Sequence, residues 1–126
     1  MSRFEALSVP NVDSLRIELH PPQRLKLDGR ITSQEPGKVL GGFFRQVHDA
    51  AIEAKLTAFE LDVTELKFVN SSSIRLFLDW AGWVKANMPN GYKLRILTTR
   101  KFTWQKTSFV AITSLAAGAV EVQVAD

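Results

Sequence analysis

Apolar and polar residues alternate along Ser14–His20, SLRIELH, with Leu15, Ile17 and Leu19 on one side of an extended chain. A period of two predicts a half-buried strand. Pro21-Pro22 breaks it, and alternation resumes over Arg24–Ile31, RLKLDGRI, with a turn-prone Asp28-Gly29. TSQEPG then reads as a loop. From about Lys38 to Ala54 the period lengthens. Leu40, Phe43, Phe44, Val47, Ala51 and Ala54 fall at helical spacing and predict an amphipathic helix. Gly41-Gly42 inside it should cost about 1 kcal/mol per glycine relative to alanine, and close packing against a sheet is the simplest compensation.

Ala58–Val69, AFELDVTELKFV, reads as a strand with a short break before Phe68 and Val69. A helix from about Ser71 to Asn87 follows, stopped by MPNG with its Pro89 and Gly91. YKLRILTT is a strand. TWQKTSFVAITSLAAG places Trp104, Ser108, Phe109, Ile112 and Leu115 near helical spacing, with Gly118 as the stop, and AVEVQVA alternates as a last strand. The order is β-β-α-β-α-β-α-β. It predicts an α/β fold, a mixed sheet of about five strands with parallel crossovers, packed by three or four helices. The 126 residues fit one domain, with a core over about 14–124 and an N-terminal extension over 1–13.

The helix after Val69 carries two apolar lines. Projected at about 100° per residue, Ile74, Phe77, Leu78, Ala81 and Val84 form one stripe, which we read as the core face. Leu76, Trp80 and Trp83 form a second line beside it, and Arg75, Asp79, Gly82 and Ala86 are small or polar. Two tryptophans off the core stripe have two explanations. They are a binding surface, where aromatics bury much area with few rotors, or a neighbouring helix covers them. The helix itself balances the two evenly.

Composition narrows the chemistry. Hydrophobic residues make up 45% and charged residues 23%, as in a globular domain. Cysteine is absent, which excludes disulfides, thiolate metal sites and thiol nucleophiles. The N-terminus has no apolar signal-peptide core and no run of about 18 apolar residues exists, so the expectation is a cytoplasmic chain without membrane insertion. No G-x-S-x-G elbow, P-loop or G-x-G-x-x-G occurs. His20 and His48 lie in different elements without metal-ligand spacing, and nothing marks Asp62 and Glu65 as an acid/base couple. The expectation is a non-enzyme with no cofactor and no metal. Between Trp80 and Val120 stand six basic residues, Lys85, Lys93, Arg95, Arg100, Lys101 and Lys106, and no acid. Such a field favours an acidic partner or is an ordinary solvated face. TTRKFTWQK interleaves basic and aromatic residues, a weak signal for nucleic acid.

Three serines, Ser71, Ser72 and Ser73, stand where that helix begins. Asn70 and Ser71 are both good N-cap types. The unpaired first-turn amides and positive dipole end also favour a phosphate there, with Arg75 one turn on. Local chemistry alone ranks the plain cap first.

The stretch FELDVTELKFVNSSSIRLFLDW resembles the central motif of the STAS domain, the fold of bacterial anti-sigma factor antagonists. That motif runs strand, Asp, an apolar pair, then Asp-Ser-Ser/Thr-Gly-Leu/Ile and a helix. Asp62 matches the early Asp, Phe68 and Val69 the pair, and Asn70, Ser71, Ser72, Ser73 and Ile74 the block. LKLDGRIT resembles the family's upstream strand, and the element order agrees over about Ser14–Val124. The resemblance implies a STAS-like fold and a partner switch. The domain binds an anti-sigma factor that is also a serine kinase, of the histidine-kinase-like ATPase type. Phosphorylation of Ser71, with Ser72 as second choice, releases it, and a serine phosphatase resets it. The implied contact residues are Asn70, Ser72, Ser73, Arg75, Leu76, Trp80 and Trp83, which tips the tryptophan line toward a partner surface. Three positions depart from the pattern: Asn70 for Asp, Ser73 for Gly, and Thr32 for the acid after Gly-x-Ile. The alternative the same resemblance implies is a STAS-like module that is not phosphorylated, in a signalling scaffold or a lipid-transport ABC system.

Overall fold

Three consecutive crossovers run the same way across the sheet. A computed structural model describes residues 7–20, 23–32 and 38–125. It contains β1 (Leu15–His20), β2 (Arg24–Ile31), α1 (Leu40–Glu53), β3 (Ala58–Val69), α2 (Ser71–Ala86), β4 (Lys93–Thr98), α3 (Thr103–Leu115) and β5 (Val120–Val124). The strands lie in sequence order in one sheet, β1 antiparallel to β2 and all later neighbours parallel. Right-handed crossovers all advancing in one direction place the three helices on one face. This is the predicted α/β architecture, a STAS-like fold with three helices among the described residues.

The covered face is aliphatic and aromatic. Leu25, Leu27, Ile31, Phe59, Leu61, Leu94 and Ile96 point from the strands at Phe44, Phe77, Trp80 and Phe109 of the helices, and all are buried. The opposite face is a grid of charges. Across it, register aligns His20, Arg24, Glu60, Arg95 and Glu121, and beside that row Glu18, Lys26 and Asp62. Opposite signs on adjacent strands pair: Arg24 reaches Glu60 and Asp62, and Arg95 and Lys93 reach Glu121. Cross-strand pairs of this kind suit a sheet face left to water.

β3 outruns its neighbour. It pairs with β4 only from Ala58 to Asp62, while its pairing with β2 continues to Val69. The strand edge beyond Asp62 needs other partners for its carbonyls. Gln105, fully buried at the start of α3, donates to the carbonyls of Val63 (2.7 Å) and Leu66 (3.0 Å) and accepts from the Thr99 N–H (3.0 Å). Trp104 Nε1–H donates to the Lys67 carbonyl at 2.9 Å. α3 thereby holds the end of β3 that delivers the chain into α2.

Several expectations change. β3 is continuous, without a break before Phe68; register shifts against β2 absorb the irregularity instead. Gly29 is not in a turn but inside β2 at φ +118°, where a Cβ would stand 2.3 Å from the Ser14 carbonyl oxygen, a placement reserved for glycine. Nothing approaches Gly42 within 4 Å, so close packing does not compensate it. Ala54 and Leu115 are exposed rather than on a buried stripe. The Pro21-Pro22 break and residues 33–37 of the expected loop lie outside the described residues, as do 1–6 of the N-terminal extension; Leu7 and Val12 pack against the core.

Candidate partner-binding site

The turn between β3 and α2 is fixed from both sides. The Asn70 N–H donates to the Ile31 carbonyl at 3.1 Å, which sets the end of β2, and Thr32 after it, beside the turn. Asn70 is the N-cap of α2, and its side-chain carbonyl accepts from the Ser73 N–H at 2.9 Å. That bond satisfies one of the orphan amides of the first turn, so Asn at this position does the capping work of Asp without the charge.

The three serines then diverge. Ser71 and Ser72 are exposed, whereas Ser73 is fully buried with no partner for its hydroxyl among the described residues. Ser71, Ser72, Ile74, Arg75, Leu78 and Asp79 line a shallow depression of about 580 Å³ along the outer flank of α2. Phe68, 42% exposed, stands just before the turn.

The tryptophan line resolves into core. Trp80 is 0% exposed and Leu76 is 7% exposed, so neither forms an exposed contact surface. α1 provides the cover: the Phe44 ring centroid lies 4.9 Å from Trp80, with Phe59 of β3 at 6.0 Å on the sheet side. Trp83 is half-buried, its ring flanked by the Arg45 guanidinium at 4.9 Å and the His48 ring at 5.7 Å. The inward stripe of α2 is therefore Ser73, Leu76, Phe77, Trp80, Ala81 and Val84. It is rotated by somewhat less than one residue step from the predicted stripe, and this leaves Ile74 and Leu78 partly buried at the edge of the core, where they line the depression. Sequence reasoning placed those two in the core.

Behind α2 lies a buried polar cluster. Trp80 Nε1–H donates to the Tyr92 hydroxyl at 2.7 Å, and that hydroxyl lies 2.8 Å from His48 Nδ1. Burial, with help from Arg45 and against the pull of Asp49, holds the His48 pKa below its ordinary value, so the ring is neutral. Burial likewise pushes the Tyr92 phenol up. The one signal in the sequence is helical spacing, which puts His48 four residues after Phe44 and three before Ala51; Tyr92, between Gly91 and Lys93, gives none.

On the charged face, burial pushes the Asp62 carboxyl up, but hydrogen bonds from Thr64 (2.6 Å from its hydroxyl, 2.9 Å from its N–H) and the Arg24 guanidinium outweigh this and lower its pKa. The carboxylate is an ion held in place by these partners. The basic residues do not form one patch: Lys93 and Arg95 serve Glu121 on the open sheet face, and Lys85 donates to the Leu115 carbonyl at the end of α3 (3.1 Å). Among the described residues no three His, Asp or Glu side chains are grouped as metal ligands, and no helix is long and apolar enough to cross a membrane.

No protein-family model and no curated protein matches the chain. Among the solved structures that share its fold are these two. One is a chain of the crystal structure of diguanylate cyclase SiaD in complex with its activator SiaC from Pseudomonas aeruginosa. The match has 18% identity over 94% of this chain and 98% of that one, with a TM-score of 0.70. The other is an anti-sigma factor antagonist from Mycobacterium paratuberculosis, with 12% identity over 91% and 90% of the two chains and a TM-score of 0.56. The backbone is thus the STAS-like one that the NSSSI motif and the element order imply.

Proposed function

We propose that this chain is a regulatory protein-interaction domain without catalytic activity of its own. Its contact surface is the Asn70–Ser72 turn with the adjoining α2 flank of Ile74, Arg75, Leu78 and Asp79. Phosphate on Ser71 switches that surface off. The carrying observation is the split among the serines: Ser71 and Ser72 are exposed at the positive end of a 16-residue helix while Ser73 is sealed in the core. A phosphate there adds close to two negative charges beside apolar Ile74 and Leu78, which disfavours a partner seated on them. Both structural neighbours are named for partner-directed regulation, one as an anti-sigma factor antagonist and one from a complex of an enzyme with its activator.

In the first reading the partner is an anti-sigma factor with serine-kinase activity, opposed by a serine phosphatase, in the cytoplasm. The neighbour from the SiaD–SiaC structure favours a second: the same surface engages a signalling enzyme, with or without phosphorylation. The test is affinity capture from the native cell with three baits, wild type, Ser71→Ala and Ser71→Glu, and mass spectrometry of both the partners and the bait. The switch predicts a partner held by wild type and Ser71→Ala and lost at least tenfold with Ser71→Glu. Equal capture by all three discards the switch, and the identity of the captured protein separates the two partner classes.

A further inference from the structure

β5 closes one side of the sheet and has no neighbour beyond it among the described residues. The Leu94 N–H donates to the Ala119 carbonyl and the Ala125 N–H to the Thr98 carbonyl. A parallel ladder with those bonds turns Glu121 and Gln123 toward β4, and the backbone groups of Val122 and Val124, with the Val120 carbonyl, toward the open edge. Among the described residues the Val120 N–H alone of these is already occupied, by the Ala116 carbonyl at 3.1 Å. Natural edges are blunted by charged side chains, proline or a bulge. VEVQV has no proline or bulge, and its one charge, Glu121, lies on the open sheet face against Lys93 and Arg95.

The edge is also apolar above. Val122 and Val124 form, with Val110 and Phe102, apolar walls of a groove of about 850 Å³ between β5 and the flank of α3. Val110 is 52% and Val124 51% exposed. Arg100 and Lys106 line the groove at the end where β5 finishes, and Ser114 and Ala117 line it toward the other end.

We propose that this edge pairs with a second copy of the same chain, β5 against β5 in antiparallel register about a two-fold axis at Val122. The strand is self-complementary in that register. Val122 meets Val122 of the other copy and Val120 meets Val124, all on the groove side. On the open face Glu121 meets Gln123, so no like charges are opposed. The outward backbone groups supply about four new hydrogen bonds. The antiparallel order also sets the basic end of each groove, with Arg100 and Lys106, against the uncharged Ser114–Ala117 end of the other, which keeps like charges apart. The two sheets become one of ten strands, and the Ser71 surface stays free because it belongs to α2. A five-residue edge plus a groove flank is a small interface of the weak, reversible class.

Sedimentation equilibrium of the full chain from about 5 to 300 μM reads the association directly. The expected result is a monomer–dimer equilibrium. Val122→Pro removes an outward N–H that β4 does not use, and Val124→Lys puts a charge on the edge, so each should weaken dimerisation at least tenfold while circular dichroism shows a folded chain. Register is tested separately. Gln123→Glu, opposed to Glu121, should weaken the dimer several-fold, and Gln123→Lys should tighten it. A wild type that stays monomeric at 300 μM overturns the proposal and leaves the edge to a strand of another protein. A dimer untouched by Val122→Pro and Val124→Lys, or moved the same way by both Gln123 variants, overturns it too.

Discussion

The indole N–H of Trp80 donates to the hydroxyl of Tyr92 over 2.7 Å, and both side chains are completely buried. The bond joins α2 to the start of β4 and explains why the largest residue of α2 faces inward. Removing one partner strands the other. Tyr92→Phe leaves the indole donor unsatisfied and should cost about 1–3 kcal/mol, and Trp80→Phe, which also opens space beside Phe44, about 2–4 kcal/mol. The double variant should cost clearly less than the sum, because the indole donor is removed together with its acceptor. Urea unfolding of the four proteins measures the coupling directly.

His48 makes stability depend on pH. Its folded pKa lies below the ordinary value of 6.5, so between the two the unfolded chain binds the proton that the folded chain refuses. Stability from this group is complete above about pH 6.5 and falls as pH drops below it. His48→Gln keeps a polar contact for Tyr92 and does not titrate. Thermal melts between pH 7.5 and 5 should therefore slope less for His48→Gln than for the wild type; parallel slopes would remove His48 from the account.

The strands and helices were legible because each buries one side only, and period two or period 3.6 shows through. The phase of α2 was not. Its apolar residues spread over more than half the helix, since α2 touches the sheet beneath and α1 and α3 on either side. Leu76-Trp80 and Ile74-Leu78 are equally good stripes on such a helix, and the choice is made by Phe44 and Tyr92, which the local pattern does not contain. Gln105 was invisible for a related reason. Its role exists only because β3 runs past β4 and leaves the Val63 and Leu66 carbonyls without a strand partner. The NSSSI motif, by contrast, placed the turn correctly, because a cap and the strand before it are local.

Asp62 should set the acid limit. Its folded pKa is held below the usual 3.8 by Thr64 and Arg24 despite burial. The stabilisation is present above that ordinary value and is lost as pH falls through the lower, folded one. Asp62→Asn keeps the shape but loses the charge against Arg24 and should cost about 2 kcal/mol at pH 7. As pH falls through the folded value the wild-type carboxyl is neutralised too, and the two proteins should converge. Chemical denaturation from pH 7 into the acid range tests this, and a difference that stays constant over the whole range would assign the loss to packing.

Ser73 separates the structural from the regulatory part of the serine run. Its hydroxyl is buried in the first turn of α2 without a partner among the described residues. Ser73→Ala removes that unsatisfied group, keeps the backbone amide that Asn70 caps, and raises helix propensity, so it should stabilise the chain by about 0.5–1 kcal/mol. Ser73→Gly, which restores the residue type of the family pattern, should instead destabilise it by about as much. Neither change touches the exposed Ser71. Phosphopeptide mapping after kinase treatment should find the group on Ser71, with Ser72 as second choice, and the same stoichiometry in Ser73→Ala as in the wild type. A phosphate on Ser73 would require α2 to leave the sheet first, and finding one would mean that the turn opens before it is read.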